Sequence, residues 1–342
     1  MNIVEAITSD KLFKPVFKDL ATWSGWLSLL RAFFGLPMGE QDLTLFKDCT
    51  GRETAPGGEF KELWAVCLRR SGKSFMASVV AVFLALFHKY AEHLAPGELG
   101  IIQIIAADRA QAQVILRYIK GILNSNPVFS QYVENEYRER VDLSNGISIE
   151  VMACSFRSIR GRTVVCAVFY EIAFWMSEGA NPSREILSAV RPGMATIPNS
   201  KLMVISSPYA RNGVLWEAHR DYFGTDDDEI LIWQSETRVM NPTIPEKLIG
   251  RELTKDPSAG RAEWFALFRE DIETFLSPDA VYNCVVPGRI ALPPRPDVYY
   301  SAFVDPSGGR HDDFTLSIGH LEDEKYVIDL LKAHKPPFDP SQ

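Results

Sequence analysis

Apolar residues fall along this chain in two rhythms. Near the start, Trp23, Trp26, Leu27, Leu30 and Phe33 recur at helical spacing, so residues 1–60 read as a lead-in of helix and loop. Residues 61–68, KELWAVCL, form a short dense apolar run that predicts a strand. The polar turn RRSGKS follows, and residues 75–87 then carry no charge at all. That stretch is too short to span a bilayer and predicts a buried helix. Residues 100–106, GIIQIIA, predict a second strand running into a helix over about 108–123, and further strands are expected at 147–153, 163–169 and 201–205. Strands alternating with helices predict a parallel sheet covered on both faces.

Beyond about residue 230 the rhythm changes. A charged helix is expected over 260–275, and the proline-rich stretch PGRIALPPRPD at 287–297 reads as a linker. After it, 298–304 and 314–320 predict two strands joined by DPSGGRHDD, with a third at 325–331. These are the opening of a second domain that begins antiparallel. There is no internal repeat.

Composition narrows this picture only modestly. With 342 residues the chain has room for one large domain and part of a second. Its 46% hydrophobic and 23% charged residues argue against global disorder. A net charge of −8 gives no support to indiscriminate nucleic-acid binding, although it leaves room for a local basic track. Cys49, Cys67, Cys154, Cys166 and Cys284 form no C-x-x-C pair, which suits reduced, packed thiols in a cytosolic protein. The N-terminus shows no apolar targeting core, so a cytosolic location and no membrane association are expected.

The sharpest chemical signal is Arg69-Arg70-Ser71-Gly72-Lys73-Ser74, placed between a strand and a helix. Triphosphate binding needs inward backbone N–H groups, a glycine for close approach, a lysine on the β/γ oxygens and a hydroxyl for Mg²⁺. Gly72, Lys73 and Ser74 supply the last three. The bland alternative is a charged surface turn, but three like charges in a row repel unless an anion sits among them. Cys67 stands where the usual pattern has its first glycine.

ATP hydrolysis further needs carboxylates at a neighbouring strand end, for the metal and for the attacking water. The run TVVCAVF ends in Tyr170-Glu171. Glu171 suits the water; Tyr170 occupies the place expected of a magnesium-holding aspartate, and a neutral phenol is a poor ligand for a hard cation. Glu178 is a weaker substitute.

Taken in order, these segments resemble the large terminases of bacteriophages and prophages. KDCTGR at 47–52 resembles the family's TGR segment, RRSGKS its variant Walker A, and AADRAQA at 106–112 its A-D-R-x-Q-A run. RSIRGRT at 157–163 followed by YEIAFW at 170–175 resembles the approach to Walker B, with tyrosine for aspartate. Ser206-Ser207-Pro208 resembles motif III. The resemblance implies an α/β fold: a P-loop NTPase of the ASCE, RecA-like kind over 61–235, after the lead-in of 1–60. A helical segment and linker at 236–297 would follow, and then the first strands of an RNase H-like nuclease at 298–342.

The resemblance also implies roles. Arg70, Ser71, Gly72, Lys73 and Ser74 would bind ATP, with Ser74 on Mg²⁺ and Arg52 near the adenine. Arg69 would be the arginine finger, with Arg70 as the alternative, and Glu171 the catalytic carboxylate. Ser206 and Ser207 would couple hydrolysis to movement. Arg109 and Arg157 are equally well ordinary surface residues. Asp305 would be the first nuclease metal ligand, although a carboxylate before a glycine turn is equally well a turn residue. Asp312 and Asp313 do not count as replacements for the acidic residues of the family's later strands, which this sequence lacks, so DNA cleavage is expected to be absent.

The implied partners are double-stranded DNA, a portal protein, a small terminase subunit and further copies in a homo-oligomeric ring. Two readings stay open: a packaging ATPase, or an impaired or partial relative that binds nucleotide or DNA without turnover. A helicase-like ATPase is disfavoured by the DPSGG strand, because helicases usually continue with a second RecA-like domain.

Overall fold

The computed structural model describes the chain except residues 155–160, 176–181, 256–259, 261–262, 270–280, 282–283, 308–312, 337 and 339–342. It divides into two compact units, Met1–Glu273 and Thr274–Gln342.

The first unit is built on eight strands: β1 (Glu62–Cys67), β2 (Gly100–Ala106), β3 (Val133–Glu136), β4 (Arg140–Leu143), β5 (Ile147–Ala153), β6 (Val164–Tyr170), β7 (Lys201–Ser206) and β8 (Ile230–Ser235). Their order is β3-β4-β5-β2-β6-β7-β1-β8. From β5 to β8 every neighbouring pair is parallel. The β3–β4 and β4–β5 pairs are antiparallel.

The central strands are buried along nearly their whole length because helices cover both faces. Successive side chains of a strand point to opposite faces, and β1 shows it. Leu63, Ala65 and Cys67 join a core with the apolar helix Lys73–Phe87 and the N-terminal residues Trp26, Leu29, Leu30 and Phe33. Trp64 and Val66 join the opposite core with Ile186, Val190, Val214 and Leu215. Those four residues come from helices Pro182–Met194 and Gly213–Tyr222.

The helix Arg109–Ser125 starts where Asp108 accepts the Gln111 N–H at 2.8 Å, satisfying one of the unpaired N–H groups of its first turn. Among the described residues no helix is long and apolar enough to cross a membrane.

The predicted strands at 61–68, 100–106, 147–153, 163–169 and 201–205 are all present, with ends shifted by a residue or so. The pattern did not reveal β3, β4 or β8. β3 and β4 have only four residues each. β8 is a six-residue run whose periodicity is ambiguous until its neighbour is known.

The stretch expected as a helix over 260–275 is helical at residues 260, 263 and 264 and is corrected over 265–269. Ala266 takes a left-handed φ of +57°, its carbonyl accepts the Gln234 side-chain amide, and Arg269 N–H donates to Tyr209 O at 2.7 Å. Phe268 packs on Trp216 and His219, so tertiary contacts override helical propensity there. An unanticipated helix lies just before, at Glu246–Lys255.

The second unit holds β9 (Tyr300–Asp305), β10 (Phe314–Glu322) and β11 (Lys325–His334) in an antiparallel sheet ordered β11-β10-β9. β10 and β11 join through Asp323 and Glu324, both at positive φ, as a two-residue hairpin of matching twist requires. The proline-rich stretch also pairs locally: Leu292 N–H donates to Asp329 O at 2.9 Å. Among the described residues of this unit the buried ones are His320 and Asp329, bonded Nδ1 to Oδ2 at 2.6 Å. The far ring nitrogen of His320 lies 2.6 Å from the Arg295 guanidinium.

Candidate functional site

β1 ends at Cys67, and the chain turns through Leu68–Gly72 into the helix Lys73–Phe87. Two residues of the turn take left-handed backbone, Arg70 at φ +62° and Gly72 at φ +90°. At Gly72 a side chain is excluded twice over, since a Cβ would also lie 2.6 Å from the Trp23 ring. The turn is held from outside through its carbonyls. The Trp26 indole donates to Ser71 O at 2.6 Å and the Asn241 side-chain amide to Arg70 O at 2.7 Å. The first turn of a helix leaves its N–H groups without intrahelical partners, which gives this end an affinity for anions.

Beside the turn stand the ends of β6 and β7. β7 lies between β1 and β6 in the sheet, so Glu171, just past β6, and Ser206-Ser207 at the end of β7 reach the same spot. Glu171 itself is in left-handed backbone at φ +55°, with its N–H bonded to Ile205 O at 2.8 Å. A non-glycine residue held in that region marks a position that the surroundings over-determine.

Lys73 is 4% exposed. Its ammonium donates to Cys67 O at 3.0 Å, Leu68 O at 2.9 Å and Ser207 Oγ at 2.9 Å, and pairs with Glu171 Oε1 at 3.1 Å. The other Glu171 oxygen accepts the Ser207 N–H at 2.8 Å. Ser206 Oγ donates to Ser207 O at 2.9 Å and accepts the Ala173 N–H at 3.3 Å, which ties β7 to the segment after β6. A buried cation, a carboxylate and a hydroxyl thus converge at the ends of three adjacent strands. The crevice outside strand ends is where open α/β sheets bind ligands.

The donors do not fit magnesium. Mg²⁺ requires a near-octahedral set of oxygens, to which a protein normally adds one or two carboxylates beside the substrate phosphates. Ser74 Oγ is hydrogen-bonded to the Tyr170 hydroxyl at 2.7 Å, and burial pushes that phenol up to about 12, so it is neutral at pH 7. The neighbouring carboxylate, Glu171, is committed to Lys73 and the Ser207 amide. Among the described residues no group of three His, Cys, Asp or Glu side chains is placed to hold a metal ion.

The remaining sequence expectations fall in different places. Arg69 is exposed, 3.9 Å from Glu263. Arg52 is not brought to the turn. It is buried, over the Phe60 ring, and donates to Asp227 O at 2.9 Å and Ile230 O at 2.6 Å. Ile230 pairs with Glu62 and Ser235 with Cys67, so Arg52 sits at the far end of β1 from the turn. Five residues of strand separate the two ends, about 16 Å. The cavity beside it, about 400 Å³, is lined by Asp226, Asp227 and Asp228 together with Arg52 itself.

Arg109 makes an ordinary surface pair with Glu139 at 3.7 Å. Asp305 ends β9, exposed and opposite Thr315. Arg157, Glu178 and Asp312 lie outside the described residues. The sequence reading missed Trp23, Trp26 and Asn241 as supports of the turn. Trp26 was visible only as a helix-face residue, and nothing in the local sequence ties Asn241 to position 70.

Fold and site together define an α/β P-loop unit followed by a separate antiparallel sheet. The sequence matches no protein-family model. No curated protein matches it either. Solved structures similar to it are phage large terminases. One is the HK97 bacteriophage large terminase, at 16% identity over 87% of this chain and 64% of that one, with a TM-score of 0.49. The ATPase domain of the Thermus phage P74-26 large terminase is 16% identical over 70% of this chain and 96% of its own, with a TM-score of 0.47. The large terminase of a thermophilic bacteriophage is 13% identical over 87% and 69%, with a TM-score of 0.46, and is also known in complex with ADP and with ATP-γ-S. This chain thus spans under two thirds of the HK97 protein's length.

Proposed function

We propose that this chain is the nucleotide-binding core of a phage-type large terminase subunit, the ATP-driven motor that packages viral double-stranded DNA. One observation carries the reading: Lys73, Glu171 and Ser207 meet within 2.9–3.1 Å of the lysine ammonium, at the ends of three adjacent strands. In this reading Lys73 leaves its internal partners for the phosphates of ATP, and Glu171, once released, orients water. Ser206 and Ser207 transmit the change along β7. Arg69, already exposed, is the arginine finger, a device worth roughly 10³–10⁵ in rate in other NTPases. DNA would be tracked through its phosphates rather than read by its bases. A portal protein, a small terminase subunit and further copies of the chain complete the proposed assembly in the host cytoplasm. Asp305, at the end of β9, belongs to an RNase H-like nuclease in the same reading.

A second reading, nucleotide binding without turnover, is favoured by the Tyr170–Ser74 hydrogen bond. DNA-stimulated ATP hydrolysis by the native chain, Lys73→Ala and Tyr170→Asp separates the two. Turnover by the native chain above the Lys73→Ala background supports the motor. Silence that Tyr170→Asp relieves supports the second reading, and silence in all three removes the phosphate-turn assignment.

A further inference from the structure

The phosphate turn and the end of β6 are joined by the hydrogen bond between Ser74 Oγ and the Tyr170 hydroxyl at 2.7 Å. We propose that the Tyr170 phenol takes over the place beside Ser74 that a divalent metal would need, so that this site binds nucleotide phosphates without magnesium. The inference rests on the second reading above, nucleotide binding without turnover.

Three features fix the phenol where it is. Tyr170 is the last residue of β6, in register with Ala106 on one side and Ile205 on the other, so its backbone belongs to the sheet. Its carbonyl accepts the Trp175 indole N–H at 3.0 Å, and the next residue bonds back to Ile205 O at 2.8 Å, so the strand end cannot unwind freely. The ring itself packs against the main apolar core. A side chain anchored at both backbone and ring delivers its oxygen to Ser74, whereas a shorter carboxylate at 170 would leave room for an ion between the two.

Metal entry would therefore have to break the hydroxyl pair and push a packed ring aside. Its reward from the protein at that corner would be two neutral hydroxyls, since Glu171 keeps the Ser207 N–H at the end of β7 and, once Lys73 has left it, is kept for the place of the attacking water. Hard cations gain little from such a set. Phosphate binding does not depend on that corner. Lys73 supplies a full positive charge and the helix start supplies N–H donors, and both act on the anion directly. The ligand class is thus a nucleoside di- or triphosphate taken up as the free anion.

The test is calorimetric titration of ATP into the full chain, with magnesium and with EDTA, for the native protein, Tyr170→Phe, Tyr170→Asp and Lys73→Ala. The native chain and Tyr170→Phe should bind ATP with affinities that agree within about threefold in the two buffers, and Tyr170→Asp should bind at least about tenfold tighter with magnesium. Native binding that is tenfold or more tighter with magnesium would overturn the proposal and leave the nucleotide reading intact. A folded Tyr170→Asp with no metal preference overturns it as well, because the phenol is then not what excludes the ion. If no variant binds, or if Lys73→Ala binds like the native chain, the nucleotide reading itself falls and this inference with it.

Discussion

The sheets of the two units are built from runs that look alike in sequence, dense in Val, Ile, Leu, Phe and Tyr, yet they sit in opposite surroundings. In β2 every residue is buried, and β6 and β7 are nearly the same. In β9 none is, and Phe303 is 70% exposed. What the second sheet buries, among the described residues, is a polar pair, His320 with Asp329, with Arg295 on the outer ring nitrogen. A strand-forming pattern reports that a segment prefers a pleated surface; it does not report what covers that surface. The first unit is held by apolar burial on both faces of its sheet. The described part of the second is held by ladder hydrogen bonds and a charged, hydrogen-bonded cluster.

The largest effect that would sharpen this contrast is expected in the first unit. Phe169→Ala removes a fully buried ring that packs on Trp175 and should cost about 3–5 kcal/mol, read as a shifted denaturant midpoint. A cost below about 1 kcal/mol would mean that this core is not packed as described. In the second unit the sensitive place should be polar. Asp329→Ala leaves a buried imidazole nitrogen without its acceptor and should cost about 1–3 kcal/mol, read as faster amide exchange along β10 and β11. Unchanged exchange there would dissolve the contrast.

A smaller effect follows from pH. Burial pushes the thiols of Cys67 up to about 11 and Cys166 up to about 12, raises that of Cys49, and pushes the Tyr170 phenol up to about 12. Each is protonated in the fold and ionises first in the unfolded chain, from pH 9.0 for the thiols and 10.0 for the phenol. Their stabilising contribution is complete below those values and is lost as pH rises through the folded ones. Burial lowers Lys201 and works in the opposite sense, because its unfolded form binds the extra proton below 10.5. Burial also raises Cys154 and Tyr90 and lowers Arg52, so with four thiols and two phenols against one ammonium and one guanidinium, the melting temperature of the first unit should fall above pH 9. A flat or rising profile would show that these groups are not buried in solution. The smallest effect is expected from Phe303→Ala, within about 0.5 kcal/mol, because the ring already faces solvent. A cost like that of Phe169→Ala would reveal a cover over this sheet.

Much of the first unit was legible because its signals are local. The apolar runs that became β1, β2, β5, β6 and β7, and the Gly72-Lys73-Ser74 turn between strand and helix, need no knowledge of distant residues. Glu171 was expected as the carboxylate because it closes the apolar run of β6, and the fold brings it 3.1 Å from Lys73. Segments whose state depends on partners were not legible. β8 is a short apolar run until β1 lies beside it, and 265–269 leave the helical pattern because Phe268 and Arg269 find Trp216 and Tyr209. Arg52, expected by resemblance near a nucleotide, lies at the end of β1 away from the turn, a placement that no local pattern announces.

By itself, then, the sequence determined the alternation of strand and helix, the Gly72-Lys73-Ser74 turn between them and the presence of a phenol where a carboxylate was expected. Only the tertiary structure decided that this phenol bonds to Ser74, that Trp26 and Asn241 clamp the turn, and that Lys73 rests on Glu171 and Ser207. Periodicity and turn chemistry act within a few residues of chain. These contacts join residues 45 to 171 positions apart, and only sheet order and register bring them within hydrogen-bonding distance.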